Sequence, residues 1–397
     1  MTPPPYDAII LGAGGAGLMC AATAGQAGKR VLVIDHADAP GKKILISGGG
    51  RCNFTNVHTV ADRFISANPH FAKSALGRYR PADFIALVDR YGIAWHEKTL
   101  GQLFCDGSAR QIVEMLMAEC DKGGVDFSFS TTIGEIGHAD GLFRVAGAAA
   151  RALVIATGGP SIPKMGATGI AYDLARRFGL KVVEPRPALV PLTLGGDDIL
   201  FRDLSGVSAE VEARTAKAKF QEAALFTHRG LSGPAILQVS SYWRHGTPVE
   251  INFAPGAPAD WLVQIKRDKP KATLKGAVSM RLPDRLSTAL VERLSGNEAN
   301  WGLMPLGDVK DALLRQIEGR LSRWIFEPNG TEGYAKAEVT AGGISTADLS
   351  QRTLEATKVP GLYAIGEAVD VTGWLGGYNF QWAWASGVAA GQALAGR

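Results

Sequence analysis

The glycine-rich turn near the start of the chain constrains the fold more than any other feature of the sequence. Gly12, Gly14 and Gly17 form the pattern G-x-G-x-x-G. A short apolar run precedes the turn, small residues suited to a helix follow it, and the next apolar run ends at Asp35. Strand, glycine turn, helix and second strand within about 30 residues predict a dinucleotide-binding βαβ unit.

Each position of this turn has a physical role in the predicted site. Gly12 permits the tight turn, Gly14 leaves room for a pyrophosphate, and Gly17 lets the helix lie close to the strand. The helix N-terminus presents backbone amides to the phosphate charge. We expect Asp35 to accept hydrogen bonds from the ribose hydroxyls, and its charge disfavours a 2′-phosphate. The alternative interpretation is a tight turn that binds no ligand.

A second set of residues, far along the chain, favours FAD over a nicotinamide dinucleotide. An apolar strand ends in Gly366-Glu367, and Asp370 follows it. An acidic side chain in this place suits the ribityl chain of FAD, or a water molecule at the pyrophosphate. Thr157 and Gly158 form a further close-approach turn after a strand. Three such elements in this order predict FAD as the cofactor.

The length and composition indicate a globular protein of more than one domain. The chain has 397 residues, of which 46% are hydrophobic and 20% are charged, and this leaves ample material for a core. Its four cysteines show no CxxC and no metal-ligand spacing, which indicates reduced thiols in the cytoplasm. Glycines interrupt the apolar stretch 8–27 and no basic segment precedes it, so we predict no membrane segment.

The net charge of +4 gives little reason to expect a nucleic-acid partner. The basic residues are scattered, and the densest run lies between Lys266 and Lys275. No aromatic residue alternates with these charges, as a base-stacking RNA surface would require. We therefore interpret the run as a solvated helix or loop face and expect neither nucleic acid nor a membrane as a partner.

The order of elements predicts a nucleotide-binding domain that is interrupted in sequence. Alternating strands and helices give way to short strands beyond Pro185 and to a mostly helical segment from about Gly256, and they return near Ala335. The predicted division is an FAD-binding domain over 1–190 and 339–397, a β-rich domain over 191–256 and 326–338, and a helical insertion over 257–325.

Four stretches of the sequence together resemble a known family. They are 41–56 (GKKILISGGGRCNFTN), 225–234 (LFTHRGLSGP), 340–344 (TAGGI), and 366–379, which begins GEAVD and ends GWLGGYN. In this order they resemble the BaiN/YhiN-like flavoproteins, also described as NAD(P)/FAD-dependent oxidoreductases or aminoacetone-oxidase-like FAD enzymes. The resemblance implies an α/β fold with a two-dinucleotide-binding-type, Rossmann-like FAD domain, an inserted β-barrel-like domain and a helical subdomain.

The resemblance also implies which residues hold the cofactor. Residues 47–53 would line the flavin and pyrophosphate, Ile133 would offer backbone contacts to adenine, and residues 376–379 would close on the isoalloxazine side. The full predicted set is Gly12, Gly14, Gly17, Asp35, Lys43, Ser47, Gly48, Gly50, Arg51, Cys52, Asn53, Ile133, Thr157, Gly158, Gly366, Glu367, Asp370, Gly377, Tyr378 and Asn379. The chain departs from the family pattern at Asp35, where Glu is more frequent. It also lacks an acidic residue in 166–172, which puts a ligand role for that loop in doubt.

The sequence identifies no catalytic residue but offers three candidates, His228, Tyr378 and Cys52. His228 suits an acid, a base, a substrate anchor or a structural hydrogen bond in a turn. Tyr378, together with Asn379, suits polarisation of a carbonyl or contact with the flavin edge. Cys52 has no partner cysteine in its motif, so a packing or polar role is favoured over a redox role. Arg51 suits reduced flavin, a carboxylate or a phosphate.

Two further groups of residues are given structural interpretations. Trp374, Trp382 and Trp384 fit core packing of the last helix better than an aromatic wall beside the flavin. The histidines form no metal-ligand cluster, so we expect no metal.

These observations predict an FAD-dependent oxidoreductase that passes two electrons between a small organic substrate and the flavin. NAD(P)H or oxygen would complete the cycle, and NAD(P)H would bind transiently because no second glycine fingerprint of comparable quality is present. One alternative is an FAD-containing protein that modifies tRNA or other RNA. Another is a flavin-binding regulatory protein without turnover. The sequence leaves the substrate and the oligomeric state open.

Overall fold

The chain divides into two compact units. The first comprises Met1–Pro187 and Glu338–Arg397, and the second comprises Ala188–Ala337. In the computed structural model the described residues are 5–295 and 301–397, without the side chains of Asp197, Ile199, Leu200 and Trp301.

The order of strands and helices along the chain agrees with the order predicted from the sequence, and the structure adds a few short elements. The strands are β1 Tyr6–Leu11, β2 Val31–Ile34, β3 Asn53–Asn56, β4 Phe64–Ile65, β5 Trp95–Glu97, β6 Gln102–Cys105, β7 Asp126–Ser128, β8 Gly137–Ala139, β9 Leu142–Val145, β10 Ala148–Ile155, β11 Val182–Ala188, β12 Leu192–Thr193, β13 Ser208–Arg214, β14 Lys219–Thr227, β15 Gly230–Ser232, β16 Val249–Asn252, β17 Trp324–Phe326, β18 Gly330–Thr331, β19 Val339–Ile344, β20 Leu362–Ala364 and β21 Thr372–Gly373. The helices are α1 Gly15–Gln26, α2 Lys42–Ile46, α3 Lys73–Arg78, α4 Pro81–Arg90, α5 Arg110–Lys122, α6 Ile170–Arg177, α7 Pro234–Ser240, α8 Trp261–Asp268, α9 Leu274–Val278, α10 Asp284–Ser295, α11 Asp311–Ser322 and α12 Tyr378–Ala395.

A mostly parallel sheet forms the centre of the first unit. Its strand order is β7-β2-β1-β10-β9-β8, and β20 pairs in parallel with β10. Strands β1 and β10 run in parallel register, with Ile9 opposite Leu153. Every residue of β2 and the last four residues of β1 and β10 are buried. Such continuous apolar runs are typical of parallel strands covered on both faces.

Helix α1 packs on the sheet, and α12 approaches α1 closely at glycine positions. A Cβ at Gly387 would lie 2.5 Å from the carbonyl oxygen of Ala16, and a Cβ at Gly391 would lie 2.6 Å from Cβ of Thr23. Larger residues at these positions would force the helices apart. The small residues that the sequence shows along both helices therefore permit this packing.

The first unit also contains a three-stranded antiparallel sheet in the order β3-β6-β5. One of its faces carries Phe104, with the His96 ring stacked on it at a centroid distance of 6.1 Å and the Lys98 ammonium 5.5 Å from its centroid. Of these elements, only α2 and β3 lie within the motif at 41–56, and neither this sheet nor α2 was predicted from the sequence. Strands β11 and β19 form a separate two-stranded pair in the same unit.

The second unit consists of a seven-stranded antiparallel sheet and a helical part. The strand order is β17-β16-β13-β14-β15-β12-β18. A cluster of aromatic rings fills its core, namely Phe201, Phe226, Phe253, Trp324 and Phe326. Helices α8 to α11 lie in sequence between β16 and β17, where the sequence predicts a helical insertion. Residues 296–300 of that insertion lie outside the described residues.

The fold class predicted from the sequence is confirmed, since a Rossmann-like α/β domain carries a β-rich and helical insertion. No helix among the described residues has the length and apolar character needed to cross a membrane.

Candidate functional site

The turn between β1 and α1 has the geometry that the glycine pattern predicts. Gly12 has a φ of +108°, and a Cβ there would lie 2.6 Å from the carbonyl oxygen of Ala156. A Cβ at Gly17 would lie 2.0 Å from the carbonyl oxygen of Gly12, whereas no protein atom lies within 4 Å of a Cβ placed at Gly14. Two of the glycines are thus required by the protein itself, and Gly14 faces open space.

The N-terminus of α1 is suited to an anion. Gly14 is its N-cap residue and supplies no side-chain hydrogen bond, and no acidic residue occupies the first turn. The first amides and the positive end of the helix dipole therefore remain available to a negatively charged ligand.

Asp35 joins this turn to the loop that follows β2. One carboxylate oxygen accepts a hydrogen bond from the Ala13 amide at 2.7 Å, and the other accepts one from the Ala37 amide at 2.8 Å. The Thr131 amide donates to the Asp35 carbonyl at 3.0 Å, which brings the segment containing Ile133 to the same place. Asp35 and Ile133, predicted to meet the ribose and the adenine, thus belong to neighbouring segments.

The segment after α2 turns through three consecutive left-handed glycines. Gly48, Gly49 and Gly50 have φ values of 57°, 67° and 85°, a conformation that residues with a side chain rarely adopt. A Cβ at Gly48 would lie 2.8 Å from the Phe104 ring, whereas Gly49 faces open space. The Arg51 side chain is exposed, while Cys52 is fully buried.

Lys43 and Glu367 form the centre of a network that the sequence did not predict. Lys43 Nζ donates to Glu367 Oε2 at 2.8 Å and to Ser161 Oγ at 2.7 Å, and Ser161 Oγ donates to Glu367 Oε1 at 2.7 Å. The Thr340 amide donates to Glu367 Oε1 at 3.0 Å. Burial acts to raise the pKa of Glu367, but the Lys43 ammonium and the other donors outweigh it, so the pKa lies below its ordinary value.

The turn after β10 leaves polar groups without partners. The hydroxyls of Thr157 and Thr340 are buried, and neither forms a hydrogen bond among the described residues. Buried hydroxyls are usually satisfied, so a group without a partner needs an explanation. A Cβ at Gly159 would lie 2.6 Å from Thr340 Oγ1, so this turn lies directly against Thr340.

The loop before α12 is fixed by side chains from distant parts of the first unit. Gly377 has a φ of +94°, and a Cβ there would lie 2.3 Å from the carbonyl oxygen of Thr55. The Asn379 side chain accepts from the Gly373 amide at 2.8 Å and donates to the Gly373 carbonyl at 3.0 Å. The Tyr378 ring is buried against Phe64 in an edge-on contact.

The buried side chain of Asn56 forms hydrogen bonds to two loops of this region. Its amide nitrogen donates to the carbonyl oxygens of Leu100 at 3.0 Å and Gly376 at 2.9 Å, and its oxygen accepts from the His58 amide at 2.9 Å. Leu100 has a φ of +60° and is 59% exposed. The sequence motif contained Asn56, but nothing in the sequence indicated that it would tie these loops together.

The remaining predicted residues lie in the same unit. Gly366 has a φ of +64°, and a Cβ there would lie 2.8 Å from Cβ of Ala16 at the start of α1. Asp370 is buried and accepts from the Ala67 amide at 2.9 Å, and burial raises its pKa above the ordinary value. Asn53 forms a side-chain hydrogen bond with Gln102.

The three catalytic candidates occupy different surroundings. His228 is exposed in the turn between β14 and β15 of the second unit, whereas Tyr378 and Cys52 belong to the first unit. Burial raises the pKa of the Cys52 thiol, and a neighbouring cysteine, Cys105, acts in the same direction. Burial, with Asp106, also raises the pKa of Cys105 to about 11. Both thiols therefore keep their protons at neutral pH.

Two of the three tryptophans near the C-terminus lie in the core, as the sequence predicts. Trp382 and Trp384 are buried in the core, and the Trp384 ring stacks on Phe84 at a centroid distance of 4.5 Å. Trp374 is partly buried, and the Arg63 guanidinium lies over its ring, 4.1 Å from the ring centroid. In the part of the chain that the structure describes, no group of three His, Cys, Asp or Glu side chains could hold a metal ion. The absence of a metal site stays a prediction.

The fold and the glycine cradle define a protein of the Rossmann-like FAD-binding class. The chain belongs to the HI0933-like family, because the family model described as HI0933-like protein Rossmann domain matches residues 6–393. The predicted class is thereby confirmed at the level of the family, whereas NAD(P)H as electron donor stays a prediction.

Three relatives extend over nearly the whole chain. The ribosomal RNA dihydrouridine synthase of Escherichia coli K12 is 49% identical over 406 residues, which cover 98% of each protein. The ribosomal RNA dihydrouridine synthase of Haemophilus influenzae Rd is 44% identical over 392 residues and 96% of each protein. The 3-dehydro-bile acid delta(4,6)-reductase of Clostridium scindens is 28% identical over 418 residues and 98% of each protein.

These relatives correct two expectations drawn from the sequence. A small organic substrate was expected, and nucleic acid was not expected as a partner. Both were wrong, since the two relatives at 44–49% identity carry names that specify ribosomal RNA. The error has a physical origin. The sequence argument required aromatic residues among the basic ones, although phosphate binding needs only the charges.

Proposed function

We propose that this chain uses FAD to reduce a uridine of ribosomal RNA to dihydrouridine. The observation that carries the proposal is the identity of 49% and 44%, over 96% or more of each chain, with two ribosomal RNA dihydrouridine synthases. The more distant relative is also named as a reductase. The RNA-modifying alternative considered for the sequence thus becomes the main hypothesis.

The residues of the first unit suit FAD. The amides at the start of α1 and the open space at Gly14 fit a pyrophosphate. Each Asp35 oxygen accepts one backbone amide and keeps a lone pair for a ribose hydroxyl. The buried Thr157 hydroxyl lacks a protein partner among the described residues, as expected of a group that a bound cofactor would satisfy. Residues 47–53 and 376–379 are proposed to border the flavin. When bound, the flavin supplies the hydride equivalent of a two-electron reduction.

We propose that Glu367 acts mainly as a positioning residue. Both of its carboxylate oxygens already accept hydrogen bonds from the protein. The network joins β19 to α2, the turn after β10 and the segment after β20, and the last three carry some of the predicted cofactor residues. Direct contact between Glu367 and the ribityl chain stays a prediction.

The chemistry of uracil determines which other groups the site must provide. The C5–C6 double bond is conjugated with the C4 carbonyl, so reduction adds a hydride at C6 and a proton at C5. The site therefore needs a proton donor and a group that hydrogen-bonds the carbonyl. His228, Tyr378 and Cys52 remain the candidates for these roles. Among them the Cys52 thiol is kept protonated by burial. NAD(P)H is proposed as the source of the electrons.

The test measures dihydrouridine directly. Ribosomal RNA from cells that lack this protein would be freed of proteins and incubated with the purified holoenzyme and NADPH or NADH. Nuclease digestion and mass spectrometry should then show a uridine that has gained two hydrogen atoms, and omission of the reductant should abolish the product. A holoenzyme whose flavin is reduced by NAD(P)H, yet which forms no dihydrouridine in this RNA, would contradict the proposal.

A further inference from the structure

The positive charge of the chain is concentrated in the helical insertion. Residues 257–325 contain 12 Lys and Arg against 8 Asp and Glu, a formal net charge of +4. The whole chain has the same net charge of +4. All residues outside the insertion therefore sum to zero, and the insertion is the part of the molecule with a net attraction for a polyanion.

The structure separates the basic side chains of this insertion into engaged and available ones. Lys266 Nζ donates to Asp311 at 2.8 Å and to the Val309 carbonyl at 2.7 Å, and Lys275 pairs with Asp284 at 2.9 Å. These two lysines serve the internal structure. Four other cations are exposed, and their side chains make no hydrogen bond, ion pair or ring contact among the described residues, namely Arg267, Lys269, Lys271 and Lys310.

These four cations belong to two segments that run side by side. The Leu306 amide donates to the Ala272 carbonyl at 2.7 Å, and the Gly307 amide donates to the Pro270 carbonyl at 2.8 Å. The contact of Lys266 with the Val309 carbonyl continues the same pairing. Lys310, although about 40 residues further along the chain, thus lies beside the segment that carries the other three cations.

The carboxylates nearby are too few to neutralise this surface. The two segments carry five cations, Lys266 included, against three carboxylates. Asp311 is paired with Lys266, and Asp268 keeps its charge because its hydrogen-bond donor, Gln264, is neutral. Asp308 is the remaining acid of the two segments. The side chains of the four cations are held on backbone segments that hydrogen bonds fix in place, which is the arrangement expected of a surface that positions a phosphate backbone.

We propose that Arg267, Lys269, Lys271 and Lys310, called here the basic patch, bind the phosphates of the ribosomal RNA. The inference rests on the proposed function, which supplies the polyanion. Phosphate contacts fix the register of an RNA without reading its bases, so the patch needs no interleaved aromatic residues. The insertion is then the RNA-positioning part of the enzyme, and the first unit performs the reduction.

The test compares two variants that lose the same charge. In the patch variant Arg267, Lys269, Lys271 and Lys310 are each changed to Gln. In the control variant Lys73, Arg90, Arg151 and Lys217 are changed to Gln; these are exposed cations without a carboxylate partner in the described structure. A third variant keeps the charge of the patch, with Arg267→Lys and with Arg at the three lysine positions. All are full-length holoenzymes, and their flavin content confirms that the first unit is folded.

The measurement is the binding of a fluorescein-labelled oligouridylate at several salt concentrations. Each phosphate contact contributes a slope of about 0.7 to the dependence of log K on log salt for single strands. The patch variant should therefore lose a slope of roughly 3 and bind about tenfold or more weakly at low salt. The control and charge-preserving variants should keep the wild-type slope.

The outcomes separate this inference from the proposed function. If the patch variant binds and modifies ribosomal RNA as the wild type does, the patch does not bind RNA, although the enzyme still forms dihydrouridine. Equal weakening of the patch and control variants would also overturn the inference, because net charge alone would then explain it. If the wild type binds RNA but forms no dihydrouridine, the proposed function fails and the patch does not.

Discussion

Lys43 Nζ lies 2.8 Å from Glu367 Oε2, and the two residues are separated by 324 positions in the sequence. The side chains of both are largely buried, with 32% and 21% of their surface exposed. Ser161 bonds to both partners and closes the arrangement. The ion pair thus connects α2, which directly precedes the glycine-rich segment, to the segment after β20.

Glu367→Gln should destabilise the first unit and weaken flavin retention. The change leaves the Lys43 ammonium without its charged partner, and a largely buried polar group that loses its partner costs about 1–3 kcal/mol of unfolding free energy. Urea unfolding of the flavin-free protein measures the cost, and absorbance of the purified protein measures bound flavin. The double variant Lys43→Met, Glu367→Gln should recover part of the loss. A double variant that costs the sum of Glu367→Gln and Lys43→Met measured singly would show that the two charges are not coupled.

Gly14→Ala should mainly weaken flavin binding, whereas Gly17→Ala should mainly lower the stability of the fold. A methyl group at Gly14 meets no protein atom within 4 Å, whereas at Gly17 it would lie 2.0 Å from the Gly12 carbonyl oxygen. We expect Gly14→Ala to change the stability of the flavin-free protein by less than about 1 kcal/mol, while it lowers flavin affinity at least several-fold. Gly17→Ala should cost about 2–3 kcal/mol of stability. A Gly14→Ala protein that retains flavin as the wild type does would show that the open space is not the cofactor site.

Leu100→Gly should stabilise the protein. Leu100 has a φ of +60° and an exposed side chain, so its conformation costs about 1–2 kcal/mol that glycine would not incur. The greater entropy of glycine in the unfolded chain offsets part of this gain and leaves up to about 1 kcal/mol. Thermal unfolding measures the difference.

The matched control for this change is Val60→Gly. Val60 is 54% exposed but has an ordinary φ of −134°, so its replacement should lower stability through backbone entropy alone. If both glycine variants were destabilised, the left-handed conformation of Leu100 would not be a source of strain.

Stability should fall as the pH drops below the ordinary range of a glutamate, in part through Glu119. This residue accepts hydrogen bonds from Gln26 at 2.9 Å, Tyr91 at 2.7 Å and Lys122 at 2.7 Å. Burial opposes its ionisation, but these donors lower the pKa of Glu119 to about 2.

The direction of the pH effect follows from this depressed pKa. A carboxylate whose pKa is lower in the folded state contributes stability that is present above the unfolded value, near 4.5, and is lost as the pH falls towards about 2. In Glu119→Gln the loss of unfolding free energy between pH 4.5 and 2 should be smaller than in the wild type. Parallel pH profiles of the two proteins would contradict the assignment.

The sequence predicted the parts of the site that are local. Gly12, Gly17 and Asp35 lie within one βαβ unit, where the spacing of residues determines their geometry. Ser161 and Thr340 were missed because they meet Glu367 only after segments 206 and 27 positions away fold together. The nucleic-acid partner was missed for a different reason, since the argument from the sequence required aromatic residues among the basic ones.

The order of the elements along the chain has a consequence for biosynthesis. Strand β10 is complete by residue 155, but its parallel neighbour β20 and helix α12 follow only after residue 337. During translation the edge of β10 that pairs with β20 and the side of α1 that packs on α12 therefore stay uncovered while the whole second unit is made. The nascent chain needs protection of these apolar surfaces during that interval, and the Lys43–Glu367 pair forms only once the last segment has emerged.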